Sequence, residues 1–181
     1  KKITITFNNP PFFLSFMNVS KEKRVLLQAS KQAGRILLKY FGKKSYPKLK
    51  LNETLVSKAD LEANKAIIKL IKKNFPDHDI LSEEIPYKKK KSDFKWVIDP
   101  LDGTTNFASG LDFFSISIGY FYEGSLTAGL IHRPTTKDFY YAQKGQGAFK
   151  NNKPLKIVEK PLKECLFDGV VSSRPDKYPE L

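Results

Sequence analysis

The apolar residues of this chain change their spacing once, and that change limits what it can fold into. From Ser20 to Gly42 the apolar positions Val25, Leu26, Ala29, Ala33, Ile36, Leu37, Tyr40 and Phe41 follow the period of a helix with one buried face. Ser20 offers a side-chain oxygen to the free N–H groups of the first turn, and Gly42 suits the left-handed conformation that ends a helix. A second helix is predicted from about Lys58 to Phe75, with Leu61, Ala63, Ile67, Ile68, Ile71 and Phe75 inward and lysines outward. Pro76-Asp77 stops it. Asp60 then falls in its first turn, where the helix dipole favours a carboxylate.

Beyond Pro76 the period drops to that of strands. Asp79 to Ser82 and Lys95 to Ile98 read as short strands, the second ending at Asp99. Between Phe113 and Phe121, Phe114, Ile116, Ile118 and Tyr120 alternate with Ser115, Ser117 and Gly119, as in a strand with two unlike faces. Tyr122-Glu123-Gly124 turns the chain into Ser125 to His132. Asp138 to Ala142 and Gly147 to Phe149 form a further hairpin, Asn151-Asn152 a later turn, and Leu166 to Ser172 one more strand. Two helices followed by hairpin-linked strands is an α+β order. The predicted organisation is an N-terminal extension over 1–19, broken at Pro10-Pro11, an α+β domain over 20–160, and the start of another layer over 161–181.

Composition excludes some classes of function. No apolar run approaches the ~20 residues that span a bilayer, and the apolar piece after Pro11 is too short for a signal-peptide core. Cys165 is the single cysteine, which excludes an internal disulfide and fits a reducing compartment, so a cytoplasmic location is expected. Lys and Arg outnumber Asp and Glu by 32 to 19, a net charge of +13. The excess is scattered except at Lys88 to Lys91, a solvated loop or a rim that concentrates anionic substrate. No aromatic–basic nucleic-acid motif accompanies it, so nucleic acid is not the expected partner.

The chemistry concentrates in residues 96–107, Trp-Val-Ile-Asp-Pro-Leu-Asp-Gly-Thr-Thr-Asn-Phe. Asp99 and Asp102 stand three apart on a turn held by Pro100 and Gly103, at the mouth of the strand that Trp96, Val97 and Ile98 begin. Carboxylate and carbonyl oxygens suit hard divalent cations, and successive N–H groups at a helix start suit an anion. Asp60 and Glu83, with Glu84 beside it, are further candidates. Asp99 and Glu83 can bridge two cations, Asp102 can reach the second, and Leu101 offers its backbone carbonyl. Thr104 and Asp60 form a proton-accepting couple that orients the attacking water. Taken singly, Asp60 also reads as an ordinary helix-start acid and Glu83-Glu84 as a solvated turn.

The run from Trp96 to Phe107 resembles the signature of the inositol monophosphatase family, the Mg²⁺-dependent, lithium-sensitive sugar and inositol phosphatases. Ser82-Glu83-Glu84, with Glu83 16 residues before Asp99, looks like the family's upstream Glu-Glu motif. Ser57-Lys58-Ala59-Asp60 resembles its Thr/Ser-x-x-Asp segment, and Gly145-Gln146-Gly147-Ala148-Phe149 its Gly-x-Gly-Ala-Phe hairpin. The resemblance implies two or three Mg²⁺ ions on Glu83, Asp99, Asp102 and the Leu101 carbonyl, with Li⁺ as an inhibitor. It implies that Thr104 and Asp60 position and deprotonate water, and that Gly103, Thr104 and Asp102 meet the phosphate. It further implies a layered α/β sandwich of the sugar-phosphatase type, an α+β half followed by an α/β half, and a homodimer. The expected substrate is a small phosphorylated polyol or sugar. Thr105-Asn106-Phe107 resembles the branch acting on inositol phosphate or fructose 1,6-bisphosphate; the nucleotide-phosphatase branch tends to show a Lys-Glu-Phe ending there.

Family members continue past a point like Leu181, into a Trp-Asp-x-Ala-Ala/Gly-like helix start whose aspartate ligates the second metal. Asp168 and Asp176 lack that context. The sequence therefore reads as a fragment whose second half is incomplete. The alternative expectation is a non-catalytic relic of the fold that binds RNA or a protein partner through its basic surface.

Overall fold

A computed structural model describes residues 20–43, 49–85, 90–156, 161 and 163, with side chains of the second helix described from Lys58 onward. The expected extension over 1–19, the strand at Leu166 to Ser172, Cys165, Asp168 and Asp176 lie outside these residues, as do Lys88 and Lys89 of the basic run.

Helix α1 spans Lys21–Tyr40. The Ser20 hydroxyl accepts the Lys23 N–H at 3.2 Å, and Gly42 takes a φ of 72° just beyond the last turn. Helix α2 runs Leu49–Asn74, starting well before the Lys58 expected from the apolar pattern. Asp60 consequently lies inside the helix and gains nothing from the dipole at its start. The inward stripe also differs from expectation. Leu61 is 38% exposed, whereas Asp60, Ala63, Asn64, Ile67 and Ile71 are buried. The stripe thus carries two polar residues, Asp60 and Asn64, among the buried Ala59, Ala63 and Ile67.

Among the described residues, seven strands form one sheet in chain order: β1 (Asp79–Ser82), β2 (Phe94–Asp102), β3 (Ser115–Tyr122), β4 (Ser125–Arg133), β5 (Asp138–Gln143), β6 (Gly147–Lys150) and β7 (Lys153–Pro154). β1 and β2 are parallel and every later pair is antiparallel. Tight turns at Glu123-Gly124 and Asn151-Asn152, with all four residues at positive φ, join β3 to β4 and β6 to β7. The expected strand at Lys95 to Ile98 is longer, and Asp99 and Asp102 stand within its far end, not beyond it. A short helix, α3 (Thr104–Ala108), follows β2.

The two long helices cover one face of the sheet. Val25, Leu26, Ala29, Ala33 and Leu37 of α1, and Ile67 and Ile71 of α2, share a core with Trp96, Ile98, Ile116, Ile118, Tyr120 and Leu130. The alternation read in β3 is therefore a division between a helix-covered face and its reverse. No described helix is long and apolar enough to cross a membrane.

Candidate active site

A bulge in β2 shapes the site. Asp99 pairs with Ser117 and Asp102 with Ser115, so three steps on β2 face two on β3. On a regular strand, side chains three apart point to opposite faces. The extra residue corrects the phase and brings both acids to the face that Ser115 and Ser117 share. The Ser115 hydroxyl donates to Asp102 Oδ2 at 3.3 Å, and the Leu101 N–H donates to Asp99 Oδ1 at 3.1 Å. The side chains of Pro100 and Leu101 are buried. Gly103 closes the segment at a φ of 85°, its carbonyl accepting the Phe107 N–H at 3.0 Å, and exposed Thr104 opens α3.

Glu83 leaves the parallel strand β1 beside this bulge. Its N–H donates to the Ile98 carbonyl at 3.3 Å, and Ile85 bridges back to Ser82, so the two glutamates sit on a short turn. From the helical layer, α2 brings in Asp60, whose carboxyl group lies beside that of Glu84. Burial, followed by the adjacent Glu84 and the charges of Asp99 and Glu83, pushes the Asp60 carboxyl up to about 8. Burial, then Asp102 and Glu83, raise Asp99 to about 6, against the lowering pull of the Leu101 N–H. Asp60, Glu83, Glu84, Asp99 and Asp102 thus gather from three separated segments. No cationic side chain is among the groups acting on Asp60 or Asp99.

The donor set fits a hard divalent cation. All its side-chain ligands are oxygens, and Asp60 Oδ1 is buried with no hydrogen-bond partner. Among the described residues no three acidic, histidine or cysteine side chains close tightly enough to hold an ion between them.

Two features escaped the sequence reading. Glu84 lies beside Asp60 and, after burial, acts on it most strongly. Asn64, 1% exposed, accepts the Ser82 hydroxyl at 2.8 Å through Oδ1. The signal was there in Asp60-x-x-x-Asn64, a helical spacing that puts two polar residues on the inward stripe.

Comparison with known proteins bears on this arrangement. The model of the inositol monophosphatase family matches residues 18–180. Nus factor SuhB of Pasteurella multocida is 36% identical over 139 residues, 75% of this chain and 52% of that protein. The fructose-1,6-bisphosphatase/inositol-1-monophosphatase of Thermotoga maritima is 36% identical over 138 residues, 75% of this chain and 53% of that one. The crystal structure of the extragenic suppressor protein SuhB from Bartonella henselae superposes with a TM-score of 0.70 at 33% identity, covering 78% of this chain and 56% of the other. The chain spans about half the length of the curated relatives it matches. With the family's model running from ahead of α1 through every described strand, and solved relatives sharing the fold, the chain belongs to the inositol monophosphatase family.

Proposed function

We propose that the whole protein is a Mg²⁺-dependent phosphomonoesterase acting on inositol monophosphate or a related sugar phosphate such as fructose 1,6-bisphosphate. The observation that carries this reading is the gathering of Asp60, Glu83, Asp99 and Asp102 with no cationic side chain acting on the Asp60 or Asp99 carboxyl. Glu83, Asp99, Asp102 and the Leu101 carbonyl would hold Mg²⁺. When bound, Mg²⁺ makes water a nucleophile near neutral pH and offsets charge on the phosphoryl oxygens. With the cation bound, Asp60 would be held in its ionised form, and together with Thr104 it would hold the attacking water and take its proton. The Gly103 and Thr104 amides orient the phosphate. Water attacks phosphorus, the ester P–O bond breaks, and inorganic phosphate and an alcohol leave.

Substrate class rests on Thr105-Asn106-Phe107 and on the name of the Thermotoga relative. A homodimer in the cytoplasm accompanies this reading. Phosphate release by the whole protein should require Mg²⁺ and be fastest with inositol monophosphate or fructose 1,6-bisphosphate among a panel that includes a 3′-phosphonucleotide. Asp99→Asn should slow it about 100-fold or more, as losing a preorganised electrostatic group does. Undiminished turnover in that variant would remove Asp99 from the mechanism.

A second reading, binding to RNA or to a protein partner, is favoured by one surface. Arg35, Lys39, Lys65, Lys69, Lys72 and Lys73 are exposed on α1 and α2, and no carboxylate is exposed among the described side chains of these helices. The name Nus factor SuhB on several relatives keeps this reading open. Salt-sensitive binding of a labelled RNA, with no Mg²⁺-dependent phosphate release, would favour it.

A further inference from the structure

We infer that Asn64 is a positioning residue that acts through Ser82 to aim the Glu83-Glu84 turn at the carboxylates of α2 and β2. The inference rests on the cation-binding reading above and deepens it. Asn64 Oδ1 accepts the Ser82 hydroxyl at 2.8 Å, and the same hydroxyl oxygen accepts the Glu84 N–H at 3.4 Å. Ser82, 5% exposed, is the last residue of β1, so this relay fixes the point where the chain leaves the sheet. Its far end is the backbone of Glu84, whose carboxyl group meets Asp60, one helical turn before Asn64 on α2. Helix and turn are thereby tied together by the Asn64–Ser82 hydrogen bond, one helical turn from where Asp60 and Glu84 lie side by side.

The energetics argue that this tie serves the site more than the fold. Asn64 is 1% exposed, and its Nδ2 is buried without a hydrogen-bond partner. An unsatisfied buried donor costs about 1–3 kcal/mol; an apolar side chain of similar size would remove that cost and leave the Ser82 hydroxyl without its acceptor instead, so the two choices are of similar worth to the core. Asn64 lies on the same inward stripe as Ile67 and Ile71, where an aliphatic residue is the ordinary occupant. What an aliphatic residue cannot do is accept the Ser82 hydroxyl and hold the turn. Partners that orient ligating carboxylates typically change metal affinity by about 10–100-fold when removed.

The test uses calorimetric titration of Mg²⁺ into the whole protein, with thermal melting in EDTA as the control for folding. Asn64→Leu is expected to melt in EDTA close to the parent, one unsatisfied buried group being exchanged for another, and to bind Mg²⁺ at least 10-fold more weakly. Ser82→Ala is expected to show a similar loss of affinity. The double variant should bind no more weakly than either single one, because one relay has been cut twice. Affinities in Asn64→Leu and Ser82→Ala equal to that of the parent would overturn the inference while leaving the cation site intact. Additive losses would also overturn it. A parent protein that binds no Mg²⁺ would remove the proposed function and this inference with it.

Discussion

The carboxyl group of Asp60 on α2 lies close enough to that of Glu84, which follows β1, for Glu84 to raise its pKa, and this proximity brings the helical layer to the end of the sheet. Its pH dependence has a defined sign. The Asp60 carboxyl is raised from 3.8 to about 8, so the folded state keeps a proton that the unfolded chain releases. The stabilising contribution is complete below the unfolded value of 3.8 and is lost as pH rises through the folded value of about 8. In EDTA, unfolding free energy should therefore fall across this window, and Asp60→Asn should flatten the fall. At pH 8 the variant is expected to be more stable than the parent by about 1 kcal/mol or more, the scale set by a buried unsatisfied group. Chemical denaturation across the pH range checks this; equal slopes for the two proteins would contradict it.

Gly34 touches the His132 ring, and alanine there should destabilise the fold despite its better helix propensity. A Cβ would lie 2.6 Å from His132 Cε1, 3.1 Å from Nδ1 and 3.3 Å from Pro134 Cβ. The ring cannot swing aside, since it stacks on Phe139 at 4.0 Å and contacts the Ser30 carbonyl at 3.0 Å. Alanine gains about 1 kcal/mol in propensity, while overpacking costs about 1–3 kcal/mol. Gly34→Ala is expected to lower stability in a urea melt.

His132 itself sets an acid limb. The Ser30 carbonyl can only accept, so His132 Nδ1 carries the hydrogen. Burial, the larger cause, and nearby Lys31 lower its pKa below 6.5, against the Ser30 hydrogen bond. The folded state thus refuses a proton that the unfolded chain takes up. This contribution is present above the unfolded value of 6.5 and lost as pH falls through the folded value. His132→Asn should be less stable at pH 7, yet lose less stability than the parent as the solution is acidified from there. Denaturation at several pH values measures both effects.

At Gly103 two costs coincide. Its φ is 85°, and a Cβ would meet the Phe113 carbonyl oxygen at 2.9 Å and Phe114 Cα at 3.3 Å, both backbone atoms. Left-handed geometry costs about 1–2 kcal/mol for a residue with a Cβ, and the contact adds more. Gly42, at a φ of 72°, has nothing within 4 Å and isolates the conformational cost alone. Gly103→Ala should therefore destabilise more than Gly42→Ala, and only the former should impair phosphate release.

Much of this architecture was legible in the residues. Ser20 and Gly42 marked α1 because each end needs the local chemistry those residues supply. The β3 alternation was plain because one face packs under helices and the other does not. The early part of α2 was hard to read because Asn52, Thr54, Val56 and Ser57 are weak helix formers, although Leu51 and Leu55 continue the spacing of Ala59 and Ala63. β2 was read too short because Pro100 lacks an N–H and ordinarily ends a ladder, whereas a bulge leaves room for it. The acidic residues of the site could be named from spacing and resemblance. Their gathering could not, because the extra residue in β2 and the link from α2 through Ser82 depend on partners distant in sequence.

Anomalous scattering from crystals of the whole protein grown with Mn²⁺ tests the central claim most directly. Peaks are expected at about 2.0–2.2 Å, near the Mg²⁺–oxygen spacing, from carboxylate oxygens of Glu83, Asp99 and Asp102 and from the Leu101 carbonyl. Peaks confined to other surfaces, with these three side chains still spread apart in saturating Mn²⁺, would contradict it.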